Sequence, residues 1–373
     1  MRFTLSSTAL STTLNTLVKV IASKNSMPIL DCFLFEVADG NIKITASDSD
    51  NIVRSSLPLT ECDGQGEFCI PNHTILNALK ELPDQPLHFD INPDNYNLTI
   101  TYQNGEYKFT ANSADDYPRT QDISGSVTTL EIPATLMAES ISRCLFATAS
   151  DELRPVMNGV YFDLTPESLN IVASDGHKLV RNRYFTIKSD TPAAFNFPKK
   201  PATLLKNVLT KDSGDVTVKF SDKCAQISFD GTIINCRLLE GRYPNYNSVI
   251  PTNNPCEVTV DRKSLLSAMR RVLPFASESS LLVRLHITEG ALEISSEDLD
   301  FSTSAKEVIA CENTGHMDIG FKGNSLMDVL TNLNSDSVTF QLADPSRPGL
   351  IVPAEQQNEE DVLMLLMPML LNN

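Results

Sequence analysis

Ser174, Asp175 and His177 lie within four residues of one another and could in principle supply a nucleophile, an orienting acid and a base. A hydrolase needs that base placed by a dedicated fold, and the chain has neither a Gly-x-Ser-x-Gly elbow nor a glycine-rich phosphate loop. Asp175-Gly176 reads as a turn pair instead, which leaves His177 a structural or binding residue. No catalytic residue is expected. The eight cysteines (Cys32, Cys62, Cys69, Cys144, Cys224, Cys236, Cys256 and Cys311) form no CxxC pair, and no histidine stands at ligand spacing from them. That pattern favours reduced, mostly buried thiols of a cytosolic protein over a zinc site or a disulfide framework. Neither a metal nor a cofactor is expected.

With catalysis set aside, recognition remains, and the elements that would carry it repeat. Arg2-Phe3-Thr4-Leu5, Thr129-Leu130-Glu131-Ile132 and Glu257-Val258-Thr259-Val260 each lead into an apolar-periodic run, at offsets of about 127 residues. Inside each third a second strand-then-helix unit follows: Glu67 to Ile70 before Ile75, Leu79 and Leu82; Ala194 to Phe197 before Leu204, Leu205 and Leu209; Met317 to Phe321 before Leu326, Val329 and Leu333. Alternating runs with Gly-containing turns, such as Phe33 to Ile44, lie between the helices and read as hairpins. The expected fold is α+β: three tandem similar domains at 1–126, 127–252 and 253–373, each of two half-repeats of a helix packed on antiparallel strands. Tyr117 to Ser126 and Tyr243 to Pro255 are the expected linkers.

Composition agrees with folded domains, at 21% charged and 41% hydrophobic over 373 residues. The Ser/Thr-rich start superficially suits a transit peptide, but its strand-helix pattern recurs internally and is read as structure. The run Val362 to Leu371 is 10 residues long with Pro368 inside it, far short of the ~20 that span a bilayer. No membrane segment is expected.

A net charge of −17 argues against a simple nucleic-acid binder. The six expected helices (7–22, 71–82, 133–147, 198–209, 261–275 and 322–333) nevertheless hold eleven Lys and Arg against four Asp and Glu, a surplus of seven that leaves the rest of the chain at −24. Two readings stay open: good helix formers with solvated heads, or a basic surface that holds duplex DNA by its phosphates without reading bases. Half-repeats joined side by side would leave free edge strands at both ends of an arc, and two copies head to tail would close them into a ring.

Five motifs carry a resemblance. Met27-Pro28-Ile29-Leu30, Arg154 to Val160, Ala173 to Leu179, Glu240 to Tyr246 with Val249-Ile250-Pro251, and Met367-Pro368-Met369 together resemble the bacterial DNA polymerase III beta subunit family, the sliding clamps, from Met1 to the end of the chain. The resemblance implies a DNA clamp fold and a head-to-tail homodimer forming a closed ring around duplex DNA. It implies a cytoplasmic, non-catalytic processivity factor that tethers the replicative DNA polymerase III catalytic subunit. A clamp loader complex, other polymerases and repair proteins would share its peptide groove. An alternative reading is a repeat-built adaptor that binds proteins without encircling DNA.

Carried over residue by residue, one wall of the groove would be Arg154, Met157, Ser174, Gly176, His177, Leu179 and Pro251. Leu365, Leu366, Met367, Pro368 and Met369 would form the other, an adaptable trough for leucine and phenylalanine anchors. Leu370 stands where the family commonly has arginine, and Ser325 where a tyrosine is frequent. Lys24, Lys199, Lys200, Arg270 and Arg271 would face DNA. At the ring seam, Tyr107 and Phe109 would meet Phe275 of the partner.

Overall fold

The computed structural model describes residues 1–25, 27–119, 123, 125–151 and 153–371. Residues 120–122 and 124 of the first expected linker lie outside that set. The first third runs β1 (Arg2–Ser6), α1 (Ser7–Leu17), β2 (Cys32–Ala38), β3 (Asn41–Ser47), β4 (Asn51–Pro58), a short β5 (Glu61–Asp63), β6 (Gly66–Pro71), α2 (Asn72–Leu79), β7 (Pro86–Ile91), β8 (Asn97–Tyr102) and β9 (Gly105–Thr110). The middle third repeats it as β10 (Thr128–Pro133), α3 (Ala134–Leu145), β11 (Gly159–Leu164), β12 (Leu169–Ser174), β13 (Lys178–Tyr184), β14 (Ala193–Pro198), α4 (Lys199–Val208), β15 (Asp215–Phe220), β16 (Cys224–Phe229) and β17 (Thr232–Arg237). The last third gives β18 (Cys256–Asp261), α5 (Arg262–Val272), β19 (Leu282–Thr288), β20 (Ala291–Asp298), β21 (Thr303–Ala310), a short β22 (Glu312–Asn313), β23 (Met317–Lys322), α6 (Gly323–Asn332), β24 (Ser337–Leu342), β25 (Gly349–Pro353) and β26 (Glu360–Leu366).

All six expected helices are present, each shorter than its apolar periodicity suggested. Ser6 caps α1 by accepting from Ala9 N–H at 3.2 Å, and Leu10, Leu14 and Leu17 bury one face. The chain then tightens into a 3-10 turn at Val18–Val20, so residues 21 and 22 are not helical. α5 is capped by Asp261 on Ser264 N–H at 2.7 Å and likewise tightens at Leu273–Phe275. There Pro274 lacks the N–H that would continue an α-helix.

Every half-repeat yields the same four-stranded antiparallel sheet. The quartets are β6-β2-β3-β4, β1-β7-β8-β9, β14-β11-β12-β13, β10-β15-β16-β17, β23-β19-β20-β21 and β18-β24-β25-β26. Four of the six join through their last strand: β4 pairs with β17 and β13 with β26. The two remaining last strands, β9 and β21, are sheet edges.

These joins explain why compactness does not follow the thirds. One unit comprises Met1–Ala138 with Leu204–Leu238, the other Glu139–Thr203 with Leu239–Asn373. The β4·β17 join draws the second half of the middle third into the first unit, and the β13·β26 join draws its first half into the second. The cysteines are all free thiols, and burial pushes Cys69 and Cys144 up to about 12, which keeps them inert at neutral pH. Among the described residues no helix is long and apolar enough to cross a membrane.

Candidate partner-binding groove and DNA interface

The β13·β26 join builds the groove. Leu179 pairs with Leu365, and Leu365 with Leu350, so their side chains share one face with Ser174. The neighbouring row on that face is Tyr161, Val172, Arg181 and Leu363. Tyr243 stacks on Tyr161 with ring centres 4.4 Å apart, and Tyr246 donates its hydroxyl hydrogen to Asp163 Oδ2 at 2.6 Å. Val172, Leu179, Tyr243, Tyr246, Leu350, Leu363 and Leu365 close into one apolar cluster, with Ile250 against it. Burial pushes the Tyr243 phenol upward, so both tyrosines act as neutral apolar platforms with a polar tip.

Ser174 and Asp175 are hydrogen-bonded into the turn that ends at Lys178. Ser174 Oγ donates to Lys178 O at 2.9 Å and accepts from Gly176 N–H at 3.1 Å. The Asp175 carboxylate accepts from His177 and Lys178 N–H at 2.8 and 2.9 Å and pairs with the Lys178 ammonium at 3.0 Å. Gly176 sits at φ +91°, where an L side chain is strained, and a Cβ there would also push against Arg154 Nη1 at 2.8 Å. Burial alone would raise the Asp175 carboxyl, but the two N–H groups and the ammonium outweigh it and hold it below its usual value. A depressed pKa contributes stability above the unfolded value, and that stability is lost as pH falls through the folded one. Asp175→Ala is therefore expected to cost about 1–3 kcal/mol at pH 7. Its melting difference from wild type should shrink below about pH 4, and a pH-independent difference would contradict the assignment.

The tail meets this turn directly. Met367 N–H donates to His177 O at 2.8 Å, and Met369 bridges to Gly320 on β23, its N–H donating to the carbonyl at 2.8 Å. Met367 is 39% exposed beside the buried Leu365. Pro368 and Met369 are half-buried, and Leu370 is exposed. One sequence-assigned residue stands apart from this face. Leu366 pairs with Lys178 and alternates to the opposite side, where α3 packs. Pro251 lies one residue beyond Ile250, the residue of that segment that touches the cluster. Met157 is buried, its carbonyl accepting from Ala149 N–H. Tyr243 and Tyr246 were missed because their segment reads as a linker; its two aromatics three apart were the available signal.

An open cleft of about 500 Å³ flanks the turn, lined by Phe146, Asp151, Arg154, Asp175, His177, Lys178 and Lys199 among others. Lys199, assigned to the DNA side, thus shares a cleft with Arg154 and His177. Of the other basic residues, Lys24, Lys200 and Arg270 are exposed. Lys199, Thr203 and Lys206 recur on one face of α4, and Lys263 and Arg270 on one face of α5. Arg271 is ion-paired to Glu307, and Arg262 donates to the Ser335 and Leu330 carbonyls. Arg143 is buried. The surplus charge of the helices therefore concentrates on α4 and α5, while the exposed residues of α3 and α6 include Glu139 and Asp328.

Tyr107 and Phe109 lie half-buried on the edge strand β9, where Tyr107 packs on Tyr102 with ring centres 4.9 Å apart. Phe275 is 42% exposed, in the 3-10 turn that follows α5. Six repeated helix-on-sheet units in three tandem domains define the DNA clamp fold. Family models for the N-terminal, central and C-terminal domains of the DNA polymerase III beta subunit match residues 1–121, 131–245 and 247–369, and the chain belongs to that family. It is 27% identical to the beta sliding clamp of Streptococcus pneumoniae serotype 4, over 96% of each chain. It is 26% identical to that of Bacillus subtilis over 99% of each. The solved beta subunit of Thermotoga maritima superposes with a TM-score of 0.90 at 27% identity, covering 100% of both chains.

Proposed function

We propose that this chain is the processivity clamp of a bacterial replicative polymerase, acting in the cytoplasm as a homodimeric ring around duplex DNA. It tethers the DNA polymerase III catalytic subunit, the clamp loader, other polymerases and repair proteins through the groove between Leu179 and Met367. The observation that carries this reading is the unequal use of six equivalent edges: four last strands are joined, and β9 and β21 are not. Unpaired edges invite another chain, and a second copy supplies both complements at once. The exposed lysines and arginine of α4 and α5 supply sequence-independent phosphate contacts. Nothing catalytic is assigned, since Ser174 and Asp175 are both held in a turn.

The test is topological. Loaded onto a primed circle, the protein should stay bound until the circle is linearised, whereas an adaptor without a ring shows no such retention. Lys199→Glu with Lys200→Glu should lower loading several-fold and flatten its dependence on salt, with the dimer unchanged. Undiminished retention by this variant would remove α4 from the DNA interface. Arg271→Glu should do less, because Glu307 already neutralises that guanidinium.

A further inference from the structure

Each third ends with the same short backbone bridge. Beyond its last strand one residue bonds back to an edge strand of that third: Asn112 to Cys69 on β6, Leu239 to Asn196 on β14 and Met369 to Gly320 on β23. Cys69, Asn196 and Gly320 each stand three residues before a helix, so the bridges are equivalent. From them the ladder runs inward through Leu34 and Thr45, through Tyr161 and Val172, and through Arg284 and Ser295. These side chains share the face that their buried neighbours on the strand, such as Phe33, Val160 and Val283, turn away from.

In the first two thirds the chain covers that face with its own tyrosine. Five residues after Asn112 comes Tyr117-Pro118, and four after Leu239 comes Tyr243-Pro244. Tyr117 clusters with Leu34 and donates its hydroxyl hydrogen to the Thr45 carbonyl at 3.3 Å. Tyr243 lies flat on Tyr161 and clusters with Val172. Leu34, Thr45 and Val172 are in consequence 2%, 1% and 0% exposed. The last third leaves the equivalent place open. Leu370-Leu371-Asn372-Asn373, the residues after Met369, bring no ring; Arg284 is exposed and Ser295 half-buried. A pocket of about 650 Å³ lies there, lined by both together with Leu282, Leu299 and Leu371.

We infer that this pocket is a second docking socket, which takes an aromatic side chain followed by proline from an extended segment of a partner protein. The occupant is the element that the chain supplies to itself in its other two thirds. Arg284 stands where Tyr161 carries the Tyr243 ring. Asp318 holds the Arg284 guanidinium by its edge, accepting from Nε at 3.1 Å and from Nη2 at 3.0 Å. The plane is thereby fixed and its face is left for a ring, a cation–π stack in place of the ring-on-ring one. Proline keeps the residue before it extended, which lets the ring drop into the socket while the chain runs on. The socket is also continuous with the peptide groove: the tail that walls the groove at Met367 and Met369 reaches the socket wall at Leu371. A partner carrying both kinds of anchor would therefore hold two adjoining sites. That continuity rests on the groove reading above, whereas the socket itself stands on the repeat.

Fluorescence polarisation tests this with a labelled peptide copying Leu239 to Tyr246, read while an unlabelled leucine/phenylalanine peptide saturates the groove. The probe should bind with the groove full, and its Tyr243→Ala version about tenfold more weakly. Arg284→Glu removes the platform; Ser295→Trp fills the socket and leaves the Asp318 pair intact. Each should weaken the probe about tenfold, and Arg284→Leu, which supplies the residue of the first third, should stay within about threefold of wild type. All three variants should bind the leucine/phenylalanine peptide as wild type does, which separates a failed socket from a failed groove. A probe that does not bind at millimolar concentration, that the groove peptide displaces, or that ignores both Arg284→Glu and Ser295→Trp overturns the inference. So does tighter binding by a chain ending at Met369, which would make the tail the occupant, or a dimer weakened by Ser295→Trp on sedimentation, which would make it a second copy.

Discussion

A chain ending at Leu366 is expected to fold as the full protein does and to lose at least 100-fold in affinity for a peptide carrying leucine and phenylalanine anchors. The groove has one wall rooted in the β13·β26 ladder and one made of tail. Leu179, Leu350 and Leu365 are buried by the sheet itself and survive the cut. Met367, Pro368 and Met369 are held by two backbone bonds, to His177 and to Gly320, and go with it. The position of the cut matters. Removing residues from Leu365 onward, the whole wall that the resemblance implies, also deletes two strand residues that are 3% and 2% exposed and pair with Leu179 and Lys178. Truncating one buried leucine costs about 2–5 kcal/mol, so that variant confounds lost binding with lost stability. Fluorescence polarisation with a labelled peptide, set beside a melting curve, separates the two. Undiminished binding by the chain ending at Leu366 would remove the tail from the groove.

The difference between the two cuts marks what local pattern can and cannot encode. Helix positions were legible because apolar residues recur at three and four along them, as Leu10, Leu14 and Leu17 do in α1, and the hairpins because turns punctuate alternating runs. The joins were not. Arg54 meets Ile233 and Arg181 meets Leu363 across about 180 residues of chain, and no periodicity within either strand names its partner. Strand partners in turn decide which side chains share a face, so Leu365 and Leu366, alike in sequence, part company in the sheet. Tyr243 and Tyr246 escaped for a related reason: Pro244 marks the segment as a turn, and only the fold lays that turn over the Tyr161 ring.

Charge is the clearest case of a residue whose type was read correctly and whose role was not. Arg143 follows Glu139 by four residues on a helix, the spacing of an ordinary exposed ion pair, and it entered the helix charge count as one of eleven cations with solvated heads or a phosphate to meet. In the structure its side chain is 10% exposed, and Nη1 donates to Glu360 at the start of β26. It also donates to Asn182 on β13 at 3.3 Å, so one guanidinium ties α3 to both strands of the join. Arg143→Ala would leave the Glu360 carboxylate, 11% exposed, without its counter-ion, and breaking a buried pair in this way costs about 3–5 kcal/mol. Arg143→Met with Glu360→Leu removes both charges and should recover most of that loss, because the desolvation penalty disappears with the attraction. Arg143→Lys should fall between, keeping the charge but losing the fork that reaches Glu360 and Asn182 together. Urea denaturation of the three variants measures the order. Equal stability of Arg143→Ala and wild type would mean that water reaches the pair, and Arg143 would return to the count of cations available to phosphate.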